Sequence, residues 1–243
     1  MSGPKIAALY GLIPNEMGLC GLSEDQKNLR EFIRGKLGIP DIIPALKRFQ
    51  AAYPYYELIA KKNRIKTGSL NKKVIEAYWL GNELLEKVTF NDLRELIVKR
   101  FSGPGLLSRK AAKEKSDAIP VSSKPHHSFH VLVLGAVTGS IDFAGRTDLK
   151  DICRVGWGRV KKLKFKNEKL KIIVEYNPLI GRKKIKFGSM KEKEINWDKT
   201  MLPNVEVGDW ISFHWNYAIQ ILNEENITNL YKYTKNSLDS LYV

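Results

Sequence analysis

Lys169-Leu-Lys-Ile-Ile-Val-Glu-Tyr176 sets Leu170, Ile172 and Val174 against Lys171 and Ile173, the period-two alternation of a strand with one face turned inward. Several short strand-like segments follow it, and a helix is predicted from about Glu224 to Leu238. Upstream, Ser128 to Val137 is rich in Val and Leu and reads as an apolar strand. From Ser23 to about Phe101 the period is helical instead. Ser23 with Gln26 carries a capping-box signal, and Leu29, Phe32, Ile33 and Leu37 repeat on one helix face before Gly38 and Pro40. Pro44 to Lys61, split or bent at Pro54, Asn71 to Lys87 and Phe90 to Phe101 supply three more helices. Ser102 to Lys124 is polar and turn-rich and reads as a linker or mobile loop.

The pattern therefore predicts an α+β protein. An N-terminal α-helical domain occupies 1–101, a linker 102–124, and a small β-barrel domain with a C-terminal helix 125–243. At 243 residues, 43% of them hydrophobic, the chain has enough apolar material for real cores. Its longest uncharged apolar run, about Ser128 to Ile141, falls short of the ~20 residues of a membrane-spanning helix. The N-terminus is too interrupted for a secretory signal, and two cysteines, Cys20 and Cys153, do not make a disulfide-stapled scaffold. A cytoplasmic protein with free thiols is expected.

The ligand-bearing side chains are few. His126, His127 and His130 crowd into Pro125-His-His-Ser-Phe-His-Val131, and His214 stands between Phe213 and Trp215. Were the first segment extended, His126 and His130 would share a face about 13 Å apart at ~3.3 Å per residue, too far for one metal unless the chain turns at Pro125 to Ser128. Imidazole and thiolate suit iron, zinc, copper or nickel. Cys20, Cys153, His126, His127, His130 and His214 are the candidate metal ligands, three or four of them meeting at the domain junction. Tyr53, Tyr55, Tyr78 and Trp79, at helical spacing, read as core. No phosphate-binding loop, dinucleotide fingerprint or Cys-x-x-Cys occurs, and no third group orients a Cys153–His214 couple, so a non-enzymatic role is expected.

The net charge of +15 keeps a polyanionic partner in view. Between Arg154 and Lys199, fifteen Lys or Arg face five Asp or Glu. Lys161, Lys162, Lys164, Lys166 and Arg182 to Lys186 are interleaved with Trp157, Phe165, Tyr176 and Phe187, the combination of an RNA- or DNA-binding barrel. A lysine-rich solvated face is the plain alternative.

Cys153-Arg-Val-Gly-Trp-Gly-Arg-Val160, two strand-like segments, and Pro203-Asn-Val-Glu-Val-Gly-Asp-Trp-Ile-Ser-Phe-His-Trp-Asn-Tyr-Ala-Ile-Gln-Ile-Leu222 followed by an acidic-capped helix are similar in order and spacing to the HypC/HupF hydrogenase assembly chaperones. The HypC-like portion spans 152–238. The resemblance implies an OB-like barrel, places Cys153 at that family's iron-binding cysteine and His214 at its motif histidine, and puts Gly208-Asp209 in the preceding turn. It implies transient holding of an iron atom carrying cyanide and carbonyl ligands. It also implies delivery of that iron to a [NiFe]-hydrogenase large subunit through a maturation scaffold protein. Cys153 is internal, whereas the family's cysteine becomes N-terminal. Pro14 to Gly21, Ala52 to Tyr55 and His126 to His130 resemble motifs of a group of uncharacterised microbial proteins, which imply no function.

Overall fold

A computed structural model of the chain describes residues 1–166 and 169–242, apart from the side chains of Lys166 and Lys169. The architecture is α+β: helices first, then a closed five-stranded barrel, then a helix.

The first element was not visible in the sequence pattern. Helix α1 (Gly3–Glu16) holds Pro4 in its first turn, with Ser2 capping the Lys5 N–H, and twelve of its fourteen residues are buried. An all-round buried helix has no polar face to set a period, so only packing reveals it. Full burial of Ile6, Leu9 and Leu12 contributes about 1.5–3 kcal/mol each. Around it lie α2 (Gln26–Ile33), α3 (Ile39–Lys47), α4 (Tyr53–Lys62), α5 (Lys72–Trp79) and α6 (Phe90–Arg100). Pro54 divides the expected second helix by occupying the first turn of α4, where its missing N–H costs nothing.

Two expectations are corrected. Within 102–124, expected as a linker, Ser108 caps a helix, α7 (Arg109–Ala118). Its apolar side is made of small residues, Ala112 and Ser116, and Arg94 of α6 pairs with Asp117. A stripe of Ala and Ser is too weak a hydrophobic signal to read as a packing face.

The expected strand at Ser128 to Val137 does not form: the chain is helical to Leu134 and irregular from Gly135 to Val137. His126 accepts the Ser128 N–H at 3.1 Å and starts α8 (His127–Phe129), which runs on as a π-helical turn from His130 to Leu134. A short buried apolar run has the same composition in either state, and the His126 cap decides between them. Helix α9 (Thr147–Cys153) follows, so strands begin only at Gly156, well inside the segment 125–243 expected to form the barrel domain.

The barrel comprises β1 (Gly156–Lys166), β2 (Lys169–Tyr176), β5 (Lys191–Asn196), β6 (Trp210–His214) and β7 (Tyr217–Ile221), in the closed order β1-β2-β5-β7-β6. A separate hairpin of β3 (Leu179–Ile180) and β4 (Lys186–Phe187) leaves the barrel between β2 and β5. Val160, Ile172, Val174, Ile195, Ile211 and Phe213 fill its interior. Helix α10 (Glu224–Asp239) closes the chain where the sequence predicts it, capped by Asn223.

The two halves share one core. Trp215, Ile219, Leu222, Leu230 and Tyr233 join the cluster built on α1 and α5. Among the described residues no helix is long and apolar enough to cross a membrane.

Candidate metal-binding site

Where the helices meet the open end of the barrel, a cavity of about 60 Å³ is walled by Cys20, His127, His130, Cys153 and His214. That volume admits a few small atoms. The sixth candidate, His126, lies elsewhere. Its Nδ1 is the α8 cap, its ring stacks on Tyr233 with centroids 5.5 Å apart, and its buried Nε2, also without a partner, does not line the cavity.

His127, Cys153 and His214 form the tightest group, with one donor atom from each lying within 4.8 Å of the others. Their positions follow from unsatisfied backbone. Cys153 does not open a strand, as the family pattern implies, but ends α9, whose last carbonyls have no partner within the helix. The Cys153 carbonyl accepts from His127 Nε2 at 2.8 Å, and the Ile152 carbonyl accepts the Trp215 N–H at 3.0 Å. Trp215 and Asn216 form a two-residue turn between β6 and β7, both at positive φ (49° and 60°). Left-handed backbone is costly for a bulky side chain such as Trp. The turn thereby fixes His214, at the end of β6, against α9.

The tautomers can be assigned from the partners. His214 Nδ1 lies 2.8 Å from the Tyr10 carbonyl, which can only accept, so Nδ1 carries the proton and Nε2 a lone pair. That Nε2 is buried and makes no hydrogen bond of normal geometry, although the Cys153 carbonyl lies near enough to the ring to favour its charged form slightly. His127 likewise donates from Nε2 to the Cys153 carbonyl, leaving Nδ1 to accept from the Tyr78 hydroxyl at 3.1 Å. The single Tyr78 proton is also claimed by the Ala51 carbonyl at 3.1 Å. His130 Nδ1 meets the Tyr55 hydroxyl at 3.2 Å.

Burial dominates the electrostatics. It lowers His214 and His130 to about 4, and it holds His127 well below the usual imidazole value, with His214 and His130 adding to the effect. It pushes the Cys20 thiol up to about 11 and raises Cys153 further. At neutral pH the group is two neutral imidazoles beside a protonated thiol, an uncharged set that becomes an anionic ligand set only when a cation displaces the thiol proton.

Tyr10, Tyr78, Trp79 and Trp215 complete the surroundings. Tyr78 and Trp79 are core, as their spacing predicts, and also wall the cavity. Tyr10 stacks on Trp79 at 4.7 Å, and nothing in the sequence singled it out because α1 itself was not legible.

Of the aromatic residues interleaved in the basic run, Tyr176 is buried and Trp157 half-buried, whereas Phe165 is 72% exposed. Phe187 is half-buried and stacks on Tyr231. Lys161, Lys162, Arg182, Lys183, Lys184 and Lys186 are exposed, and the side chain of Lys166 lies outside the described residues.

No curated protein and no solved structure matches the chain. A family model covers the helices, the cavity and the barrel together: the chain belongs to a family of unknown function, DUF6390, whose model matches residues 1–242.

Proposed function

We propose that the chain binds a soft transition-metal ion through His127, Cys153 and His214. In keeping with the resemblance of residues 152–238, we propose iron, carrying cyanide and carbonyl ligands, as cargo for [NiFe]-hydrogenase maturation. The observation that carries the metal reading is His214 Nε2, a buried lone pair without a partner, whose ring is fixed by an Nδ1–H bond to a backbone carbonyl. Metal-ligating histidines are oriented in this way, and a buried acceptor left unpaired otherwise costs about 1–3 kcal/mol.

The donor set supports the same reading. A tetrahedral site with 2.0–2.3 Å bonds needs donors roughly 3.5 Å apart, which small side-chain rotations reach from 4.8 Å. Three protein ligands leave a position open toward the cavity for non-protein ligands. Cys20 and His130, in the same wall, are the reserve donors.

The iron-delivery role rests on the resemblance, with the hydrogenase large subunit or a scaffold protein as partner. Because Cys153 ends a helix within the chain, the cargo is presented from a cavity wall and not from a free terminus.

Elemental analysis and infrared spectroscopy of anaerobically purified protein test both parts. Bound iron with bands in the cyanide and carbonyl region, lost in a Cys153→Ala, His214→Ala double variant, is expected. Equal metal in the double variant removes the metal reading. Metal without those bands removes the iron-delivery role alone.

A further inference from the structure

The β3–β4 hairpin, which leaves the barrel between β2 and β5, leans against α10. Phe187 of β4 and Tyr231 of α10 stack with centroids 5.6 Å apart and planes at 15°, and Tyr231 remains 50% exposed. A cleft of about 130 Å³ between Lys184, Lys186, Tyr231 and Tyr242 shares Tyr231, Lys235 and Asp239 with a groove of about 740 Å³, which runs along α10 beside Glu86, Ser122 and Lys124 and includes no hairpin residue.

The charges in this region divide into two kinds. Lys235 is paired with Asp239, and Lys232 with Glu86. Among the described residues, Arg182, Lys183, Lys184 and Lys186 have no ion-pair partner, although all four are held on one short hairpin. Four like charges on one turn repel each other, a cost that a polyanion would offset. An aromatic face backed by a second ring and flanked by cations is the combination that stacks a base while its phosphates are neutralised.

We infer that the cleft between the β3–β4 hairpin and α10 binds single-stranded nucleic acid, with a base stacked on Tyr231 and the backbone phosphates on Arg182, Lys183, Lys184 and Lys186. A base with its phosphates can enter this narrow cleft and stack on Tyr231, whereas the headgroup plane of a membrane cannot, which favours a strand over an anionic membrane. The site is independent of the metal group, sharing none of its residues.

Fluorescence anisotropy of the full chain with a labelled 12-nucleotide single-stranded RNA tests the inference. Affinity is expected to fall with salt at a log–log slope near −3, from roughly four neutralised phosphates at ~0.7 each. The exposed double variant Lys184→Glu, Lys186→Glu is expected to lose tenfold or more and to flatten the slope. Tyr231→Ala is expected to lose about tenfold with the slope unchanged, while Tyr231→Phe retains binding. Cys153→Ala is expected to bind RNA like the parent chain, which separates this site from the metal reading. Absence of RNA binding, indifference to both the charge and the Tyr231 variants, or binding of phosphatidylglycerol vesicles in place of RNA overturns it.

Discussion

His214 Nδ1 donates to the backbone carbonyl of Tyr10 across 2.8 Å, although 204 positions separate the two residues in the chain. One hydrogen bond thus ties the last turn of the barrel to the most buried helix and fixes which nitrogen of His214 faces the cavity. The same helix supplies the Tyr10 hydroxyl, bonded to Ser212 at 2.8 Å. The orientation of the candidate ligand is therefore a property of the joined halves, not of the barrel alone.

If His214 Nε2 is a ligand, His214→Gln and Cys153→Ala each reduce Co²⁺ affinity by at least tenfold, read from the loss of the thiolate-to-cobalt absorption band in the second case. His126→Gln, which removes an imidazole outside the cavity, leaves that affinity within about threefold. A His126→Gln effect as large as that of His214→Gln would contradict the assignment.

Metal affinity rises with pH. Burial raises the Cys153 thiol pKa, so binding must release its proton, whereas His214, lowered to about 4, is already neutral above pH 5. One released proton gives about a tenfold gain per pH unit between pH 5.5 and 8. A titration series in Co²⁺ measures it, and a flat profile would exclude thiolate ligation.

Stability falls on mild acidification. His126, His130 and His214 are lowered by burial to about 3, 4 and 4 from 6.5. Below pH 6.5 the unfolded chain therefore takes up protons that the folded chain refuses, so each residue's contribution is complete above 6.5 and is lost as pH falls toward 4. At pH 5 each costs roughly 2 kcal/mol relative to pH 7.5. Urea midpoints at the two pH values report these three together with His127, which burial also lowers, and replacing one of the histidines by Gln reduces the difference.

Asp151 accepts from Arg154 at 2.9 Å, from the Tyr176 hydroxyl at 3.0 Å and from the Leu179 N–H at 2.9 Å, and Arg154 is 1% exposed. Asp151→Asn leaves a buried guanidinium without its counter-charge and is expected to cost about 3–5 kcal/mol. Asp117→Asn, at a solvent-screened pair with Arg94, is expected to leave the unfolding midpoint close to that of the parent chain. Denaturant unfolding of both variants compares them directly.

Gly81 sits at φ 89°, and a Cβ there would lie 2.2 Å from the Tyr233 ring. Gly81→Ala therefore combines backbone strain with a clash where α10 meets the helices. It is expected to destabilise by more than about 2 kcal/mol in thermal or urea unfolding.

Local period determined part of this protein by itself. The alternation at 169–176 carries β2, the Asn223-capped run carries α10, and the aromatic spacing of Tyr53, Tyr55, Tyr78 and Trp79 marks core. These features are legible because each element has one face turned to solvent, and water imposes a period on the residue pattern. Tertiary structure decided what has no such face: α1, buried on nearly all sides; the helical state of 127–134, fixed by one side-chain cap; and α7, packed through Ala and Ser. It also decided which ligand-bearing residues meet. The sequence supplied six candidates, but their convergence depends on orphan carbonyls at the end of α9 and on a left-handed turn after His214, both of which exist only once segments distant in the chain are packed together.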